Sequence, residues 1–158
     1  MGFADIFKIS KNKQEKAAAP RTLQQEEFSV VGMRYYEKNI KKISQINPDW
    51  KKTSVAIVNS GQAGKRIFRY TYINKPVKLI LEHKNPHDKN AVQVVIAGEL
   101  VGYISSDDAK HVREILSRHE IKFISSYFWG GQYKIVQGPK DTIKDEFSLA
   151  ITVKIGYV

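Results

Sequence analysis

The sequence contains no cysteine among its 158 residues. Disulfide bonds, thiol nucleophiles and cysteine-ligated zinc sites are therefore excluded. It also has no apolar run of about 18 residues, so no segment is predicted to span a membrane. The first residues lack the continuous apolar segment and the small-residue cleavage site of a signal peptide. These absences predict a soluble protein of the reducing cytoplasm.

The patterns of catalytic and cofactor-binding sites are missing as well. The glycine pair within residues 61–65 is too closely spaced for a phosphate-binding Walker A loop, and Arg66 stands where that loop needs Ser or Thr. His83 and His87 have the spacing of a zinc pair, but Pro86 prevents the helix that such a pair needs. We therefore expect no catalytic residue, no metal and no cofactor.

Positive charge is in excess, with 26 Lys and Arg against 16 Asp and Glu, a net charge of +10. Residues 1–22 contribute +3 of it, and the rest of the chain carries +7. Together with eight Tyr, seven Phe and two Trp, this composition suits a nucleic-acid-binding surface. Basic proteins that bind no nucleic acid are also common, so the charge alone does not decide the function.

The chain divides into a short tail and one predicted domain. Residues 1–22 are predicted to be a flexible basic tail, or a short amphipathic helix that docks on a membrane, a partner or the domain itself, because Phe3, Ile6 and Phe7 have helical spacing. Residues 23–158 suffice for one domain with a hydrophobic core, but not for two.

β-branched and aromatic residues dominate from Phe28 onward, which predicts a mainly β fold. The candidate strands are residues 28–36, 54–59, 66–73, 77–82, 91–97, 100–104, 121–128, 132–137 and 147–157. Gly98-Glu99 and Gly130-Gly131 are predicted hairpin turns. Many short strands joined by such turns favour a barrel or sandwich. One main helix is predicted over residues 107–119, from its apolar stripe and its terminal charges, and a helical turn over 39–46.

Residues 85–92 form a polar corner between two apolar, strand-like segments. Pro86 fixes its own φ and keeps Asn85 extended. The side chains of Asn85 and Asp88 can accept hydrogen bonds from backbone N–H groups two or three residues later, which closes the turn. His87, Asp88 and Lys89 then point outward. Such a corner suits a ligand, although turns of this composition also occur without one.

Two further motifs flank this corner. The first, V-V-G-x-R-Y-Y at residues 30–36, ends a predicted strand; the second, G-x-x-V-G-Y-I at residues 98–104, precedes the main helix. Alternation along a strand places Tyr35 on one side and Arg34 and Tyr36 on the other, so one ring is expected in the core and one in reach of a ligand. For Tyr103, core and site are equally compatible with the pattern.

The three motifs in this order, with the sequence N-P-x-D-x-N-A-V at the centre, resemble the HIRAN domain. This module occurs at the N-terminus of SWI/SNF-type fork-remodelling helicases and as a stand-alone bacterial protein. The resemblance covers residues 28 to about 118 and is interrupted by an insertion at about 37–76. It implies an OB-like or SH3-like β-barrel with one main helix. The insertion is predicted to hold a β-hairpin of residues 54–59 and 66–73.

The resemblance also implies a function in DNA repair, namely capture of the 3′ end of single-stranded DNA. The implied pocket is lined by Arg34, Tyr35, Asn85, His87, Asp88 and Tyr103. Lys89, next to Asp88, is a further candidate for a phosphate contact. His87 stands where the family often has Tyr. Ser105-Ser106 stands where the family often has lysine, which contacts a phosphate. Lys110 would substitute for that lysine.

The protein is therefore expected to be a non-catalytic module that binds single-stranded DNA. Other DNA-processing proteins are further candidate partners. The alternative is a protein-interaction or adaptor domain whose basic tail tethers it to a partner or a membrane surface. A metal-dependent hydrolase or nuclease is a third hypothesis. It is weakly supported, because the adjacent Asp107 and Asp108 point apart on a helix and are explained by the positive end of its dipole.

Overall fold

The computed structural model describes residues 18–71 and 75–158. Residues 1–17 of the predicted tail, and Tyr72 and Ile73 at the end of a predicted strand, lie outside these ranges. The strands are β1 (Gln24–Val31), β2 (Gln45–Ile46), β3 (Arg66–Phe68), β4 (Tyr70–Thr71), β5 (Val77–Leu81), β6 (Val92–Ile96), β7 (Glu99–Ile104), β8 (Ile121–Gly138) and β9 (Asp141–Tyr157). The helices are α1 (Glu37–Ile43), α2 (Ser54–Asn59) and α3 (Ser106–Arg118), with 3-10 turns at Met33–Tyr36 and Pro48–Lys51.

Seven strands form one antiparallel sheet in the order β3-β8-β9-β1-β7-β6-β5, while β2 and β4 form a separate pair. Strand β1 connects the two halves of the large sheet: Gln24 to Ser29 pair with β9, and Val30 and Val31 pair with β7. Strands β5 and β8 approach each other, but within the described ranges no ladder joins them. The mainly β class with one main helix is confirmed; closure into an OB-like or SH3-like barrel stays a prediction.

The main core lies between the sheet and α3. The apolar stripe of α3 is buried as predicted, through Ala109, Val112 and Ile115. It packs into one cluster with inward-facing residues of β1, β6, β7 and β9, including Val94 and Val153, which are fully buried. Since the core uses one side of each strand, the motifs at the strand ends are left at the surface.

Two of the predicted turns are placed differently in the structure. The β6–β7 hairpin turns at Ala97 and Gly98, one residue earlier than predicted, and both have positive φ, +50° and +82°. These φ signs are those of a type I′ turn, which fits the twist of a hairpin. At Gly130-Gly131 the chain does not turn. The register between β8 and β9 shifts there, and β8 continues as one strand across a β-bulge.

The predicted strand over Ser54–Asn59 is wrong, because this segment is α2. The Thr53 side chain accepts a hydrogen bond from the backbone N–H of Ala56 at 3.2 Å and so caps the helix. One buried residue, Ile57, packs with Ile67 and Val136 in a small second core. The inserted hairpin is therefore replaced by a helix and the short β2–β4 pair. The helical turn predicted over residues 39–46 corresponds to α1, with β2 following it.

Glu26 joins β1 to β9 and α3. The Tyr157 hydroxyl donates a hydrogen bond to one carboxylate oxygen, and His111 Nε2 lies 2.8 Å from the other. The hydrogen bond from Tyr157, then that from His111, lowers the pKa of Glu26 below its ordinary 4.5. A carboxyl with a lowered folded-state pKa stabilises the fold above its unfolded pKa, and this contribution is lost as the pH falls through the folded value.

We therefore expect Glu26→Gln to lower the melting temperature by a few degrees at neutral pH and by less near pH 3. Thermal unfolding of both proteins across this pH range measures the difference, and effects of the other carboxyls cancel in it. A difference that does not change with pH would mean that the contacts of Glu26 do not depend on its charge.

Candidate nucleic-acid interface

The polar corner between β5 and β6 is closed by side chains, as the sequence predicts. The Oδ1 atom of Asn85 accepts from the backbone N–H groups of His87 at 2.8 Å and Asp88 at 3.1 Å. The Oδ1 atom of Asp88 accepts from the backbone N–H of Asn90 at 2.8 Å. Lys89 and His87 are exposed. The corner thus holds its backbone rigidly and presents an imidazole, a carboxylate and a cation.

Hydrogen bonds connect this corner to the rest of the predicted site. The side-chain amide of Asn85 donates to Glu82 Oε2 at 3.3 Å. Burial, and then the neighbouring Tyr36, raises the pKa of Tyr103 to about 12, and Glu82 contributes in the same direction. The rings of Tyr36 and Tyr103 are 6.3 Å apart between centroids. Tyr103 is partly buried between the corner and the segment after β1.

The sequence predicts that the first strand continues to residue 36. The structure instead has a 3-10 turn after β1. Gly32 adopts a left-handed φ of +77°, and Met33–Tyr36 follow as the turn. Glycine is suited to this position because a Cβ disfavours positive φ. The alternation expected for Arg34, Tyr35 and Tyr36 therefore does not apply.

The turn presents Arg34 and Tyr35 together at the surface. The Tyr35 side chain is 72% exposed. Arg34 Nη2 donates to the Tyr35 hydroxyl at 2.7 Å, and the guanidinium carbon lies 4.8 Å from the ring centroid. This contact leaves a large aromatic face and a cation accessible from solvent.

Arg34 and Tyr35 border a cleft of about 840 Å³. Its other walls come from α1, from Arg69 and Tyr70, from Gly131 and Gln132 of β8, and from β9. Most polar residues that line the cleft are not predicted from the sequence. They are Glu37, Lys41, Ser44, Arg69, Tyr70, Gln132, Glu146 and Ser148. They come from separate segments of the chain, and only the helical spacing of Glu37, Lys41 and Ser44 signals a shared face.

The remaining predicted residues lie outside the cleft lining. Lys110 is exposed on α3, one turn before Arg113. Arg113 connects α3 to the corner, because its guanidinium donates to the Ala91 carbonyl at 3.4 Å and lies 3.2 Å from His83 Nδ1. The structure therefore joins Asn85 and Tyr103 to the turn that carries Arg34 and Tyr35. His87, Lys89 and Lys110 stay on the outer surface.

Within residues 18–71 and 75–158, no three His, Asp or Glu side chains gather as metal ligands. The helices of these ranges are also too short and too polar to cross a bilayer.

Comparison with known proteins supplies the family. The family model of the HIRAN domain matches residues 24–152, from the start of β1 into β9, and this range includes residues 37–76. No curated protein and no solved structure matches the chain. The motifs at residues 30–36, 85–92 and 98–104 all lie within the matched range. The chain therefore belongs to the HIRAN-domain family, a family of nucleic-acid-binding modules.

Proposed function

We propose that this protein binds single-stranded DNA and captures its 3′ end, without chemistry of its own. The observation that carries the proposal is the exposed Arg34–Tyr35 pair at the mouth of a polar cleft, connected through Tyr36 and Tyr103 to the Asn85–Asp88 corner. Unpaired bases stack on aromatic rings, and a guanidinium beside the ring binds phosphate.

The corner supplies the group that recognises the free end. Asn85 already uses both its amide oxygen and its amide nitrogen within the protein, so its role is to hold the corner. Asp88 accepts one backbone hydrogen bond, and a carboxylate has further acceptor sites. It can therefore accept the hydrogen bond of a terminal 3′ hydroxyl. His87 and Lys89 stand on either side of Asp88 for stacking and for phosphate.

Blocking the 3′ end provides the direct test. Two base stacks of about 1–3 kcal/mol each, and two or three phosphate contacts, predict micromolar affinity. We expect a 3′-phosphate on the oligonucleotide to weaken binding about tenfold or more, because it removes the hydroxyl donor and brings negative charge to Asp88. Fluorescence anisotropy with 3′-hydroxyl and 3′-phosphate forms of one oligonucleotide measures this, and a 5′-phosphate form is the control.

The salt dependence separates end capture from general attraction. Each neutralised phosphate contributes about −0.7 to the slope of log affinity against log salt concentration. Two or three phosphate contacts therefore predict a slope of roughly −1.5 to −2. Binding that ignores the block and depends more steeply on salt would reduce the function to that of a basic surface.

A protein-interaction function is the alternative, and exposed rings favour it. Phe123, Tyr127 and Trp129 are 36%, 48% and 50% exposed, and alternation along β8 places them on one face of the sheet. Absence of DNA binding at low salt would favour this function. Deleting residues 1–22, which precede β1, would then test the basic tether, because only the adaptor hypothesis predicts loss of partner binding.

A further inference from the structure

The cleft beside Tyr35 contains a second pair of arginine and tyrosine. Arg69 and Tyr70 belong to the inserted segment 37–76, and the Arg69 guanidinium carbon lies 5.4 Å from the Tyr70 ring centroid. Arg69 Nη1 also donates to Gln132 Oε1 at 2.6 Å, which holds it against β8. Since Arg34–Tyr35 and Arg69–Tyr70 line the same cleft, one bound ligand can reach both pairs.

A second cleft lies next to the first and shares part of its lining. This second cleft has a volume of about 530 Å³ and shares Arg69, Gln132 and Glu146 with the first. It leads to Trp50, whose ring lies 5.4 Å from the buried ammonium of Lys134. The larger cleft alone is near the upper end of the roughly 300–1,000 Å³ of small-molecule pockets. The two clefts, together termed the groove, therefore have room for more than one nucleotide.

The insertion anchors this groove firmly to the sheet. Lys134 on β8 donates to the carbonyl oxygens of Trp50 at 2.8 Å and Lys52 at 3.2 Å. The backbone N–H of Arg69 donates to the Gln132 carbonyl at 2.8 Å. The groove walls are thus held in place without a ligand, which reduces the entropy that binding must overcome.

The charges of the groove are mixed. Its cations are Arg34, Lys41, Arg69 and Lys144, and its carboxylates are Glu37, Asp145 and Glu146. Carboxylates repel phosphate but accept hydrogen bonds from the exocyclic amino groups of bases. A strand in this groove would turn its phosphates toward the cations and its base edges toward the carboxylates.

We infer that the inserted segment provides a second binding segment for single-stranded DNA, in which Arg69, Tyr70 and Lys41 hold the nucleotides that precede the captured 3′ end. This inference rests on the proposed function. It gives the insertion the role of extending the site from the terminal nucleotides to a longer strand, within the range of about 4–16 nucleotides typical of OB folds.

The test compares oligonucleotides of about three and about ten nucleotides, both with a free 3′ hydroxyl. The wild-type protein is expected to bind the longer one at least about tenfold more tightly. In Lys41→Glu and in Arg69→Ala this ratio should fall to about twofold. The matched control is Lys38→Glu, which makes the same charge change on an exposed residue of α1 outside the groove lining. It should keep most of the wild-type ratio.

The outcomes distinguish failure of the extended groove from failure of the proposed end capture. If the short oligonucleotide binds but the longer one gains nothing, the extended groove is overturned and end capture stands. The inference is also overturned if both groove variants keep the wild-type ratio, or if Lys38→Glu lowers the ratio as much as Lys41→Glu. If neither length binds, end capture and its extension fail together. Circular dichroism confirms folding, and Lys41→Glu remains informative if Arg69→Ala does not fold.

Discussion

Replacing Tyr35 with alanine is expected to weaken binding of single-stranded DNA about tenfold or more. The ring is 72% exposed and contacts Arg34 beside it, so it offers a face on which a terminal base can stack. One such stack is worth about 1–3 kcal/mol, and about 1.4 kcal/mol corresponds to a tenfold change in affinity. Anisotropy titration of both proteins with one 3′-hydroxyl oligonucleotide measures the change.

The exposure of Tyr35 makes this substitution a clean test. Removal of a surface side chain usually changes the free energy of unfolding by less than about 0.5 kcal/mol, so the variant is expected to stay folded. Tyr35→Phe is the matched control. It keeps the ring and loses only the hydroxyl that accepts from Arg34 Nη2, and it should retain most of the affinity. A folded Tyr35→Ala protein with wild-type affinity would remove this turn from the site.

The parts of the site that the sequence predicts well are those built from neighbouring residues. The side chains of Asn85 and Asp88 close their corner through backbone groups two or three residues away. Such bonds depend only on local geometry, so the residue types suffice to predict them. The 3-10 turn at Met33–Tyr36 is not predicted, because β-branched and aromatic neighbours favour a strand that continues, although Gly32 marks the turn.

Contacts between distant segments account for the other differences. The Val-Ala-Ile-Val run of α2 has strand-like composition, yet it forms a helix. Thr53 caps that helix, and Ile57 packs against Ile67 and Val136 from distant strands. Gly130-Gly131 is predicted as a hairpin turn, whereas pairing with β9 carries β8 through a β-bulge at this point. The cleft combines α1, β8 and β9, whose proximity no local pattern encodes.

Gly102→Ala is expected to destabilise the fold more than any surface substitution. A Cβ atom at this position would lie 2.5 Å from the Val31 carbonyl oxygen and 2.7 Å from Val30 Cγ1. The first of these atoms belongs to the backbone of β1, so the pairing of β1 with β7 must shift. Overpacking of this kind costs about 1–3 kcal/mol or more, which lowers the melting temperature of a chain of this size by about 2–12 °C. Thermal and urea unfolding measure it.

Gly98→Ala supplies the matched comparison, and it decides why the G-x-x-V-G-Y-I motif has two glycines. Gly98 has a φ of +82° and nothing within 4 Å of an added Cβ. Alanine there is therefore expected to lower the free energy of unfolding by only about 1–2 kcal/mol, the cost of a left-handed backbone conformation. Gly102 instead lets β1 approach β7 closely. This approach lies next to the pair of Val31 and Tyr103, and Val31 directly precedes Gly32, where the 3-10 turn begins. Substitution of Gly102 should therefore weaken DNA binding as well as stability, whereas Gly98→Ala should leave binding intact. Equal effects of the two substitutions on stability and binding would show that the close approach of β1 and β7 does not position the Arg34–Tyr35 turn.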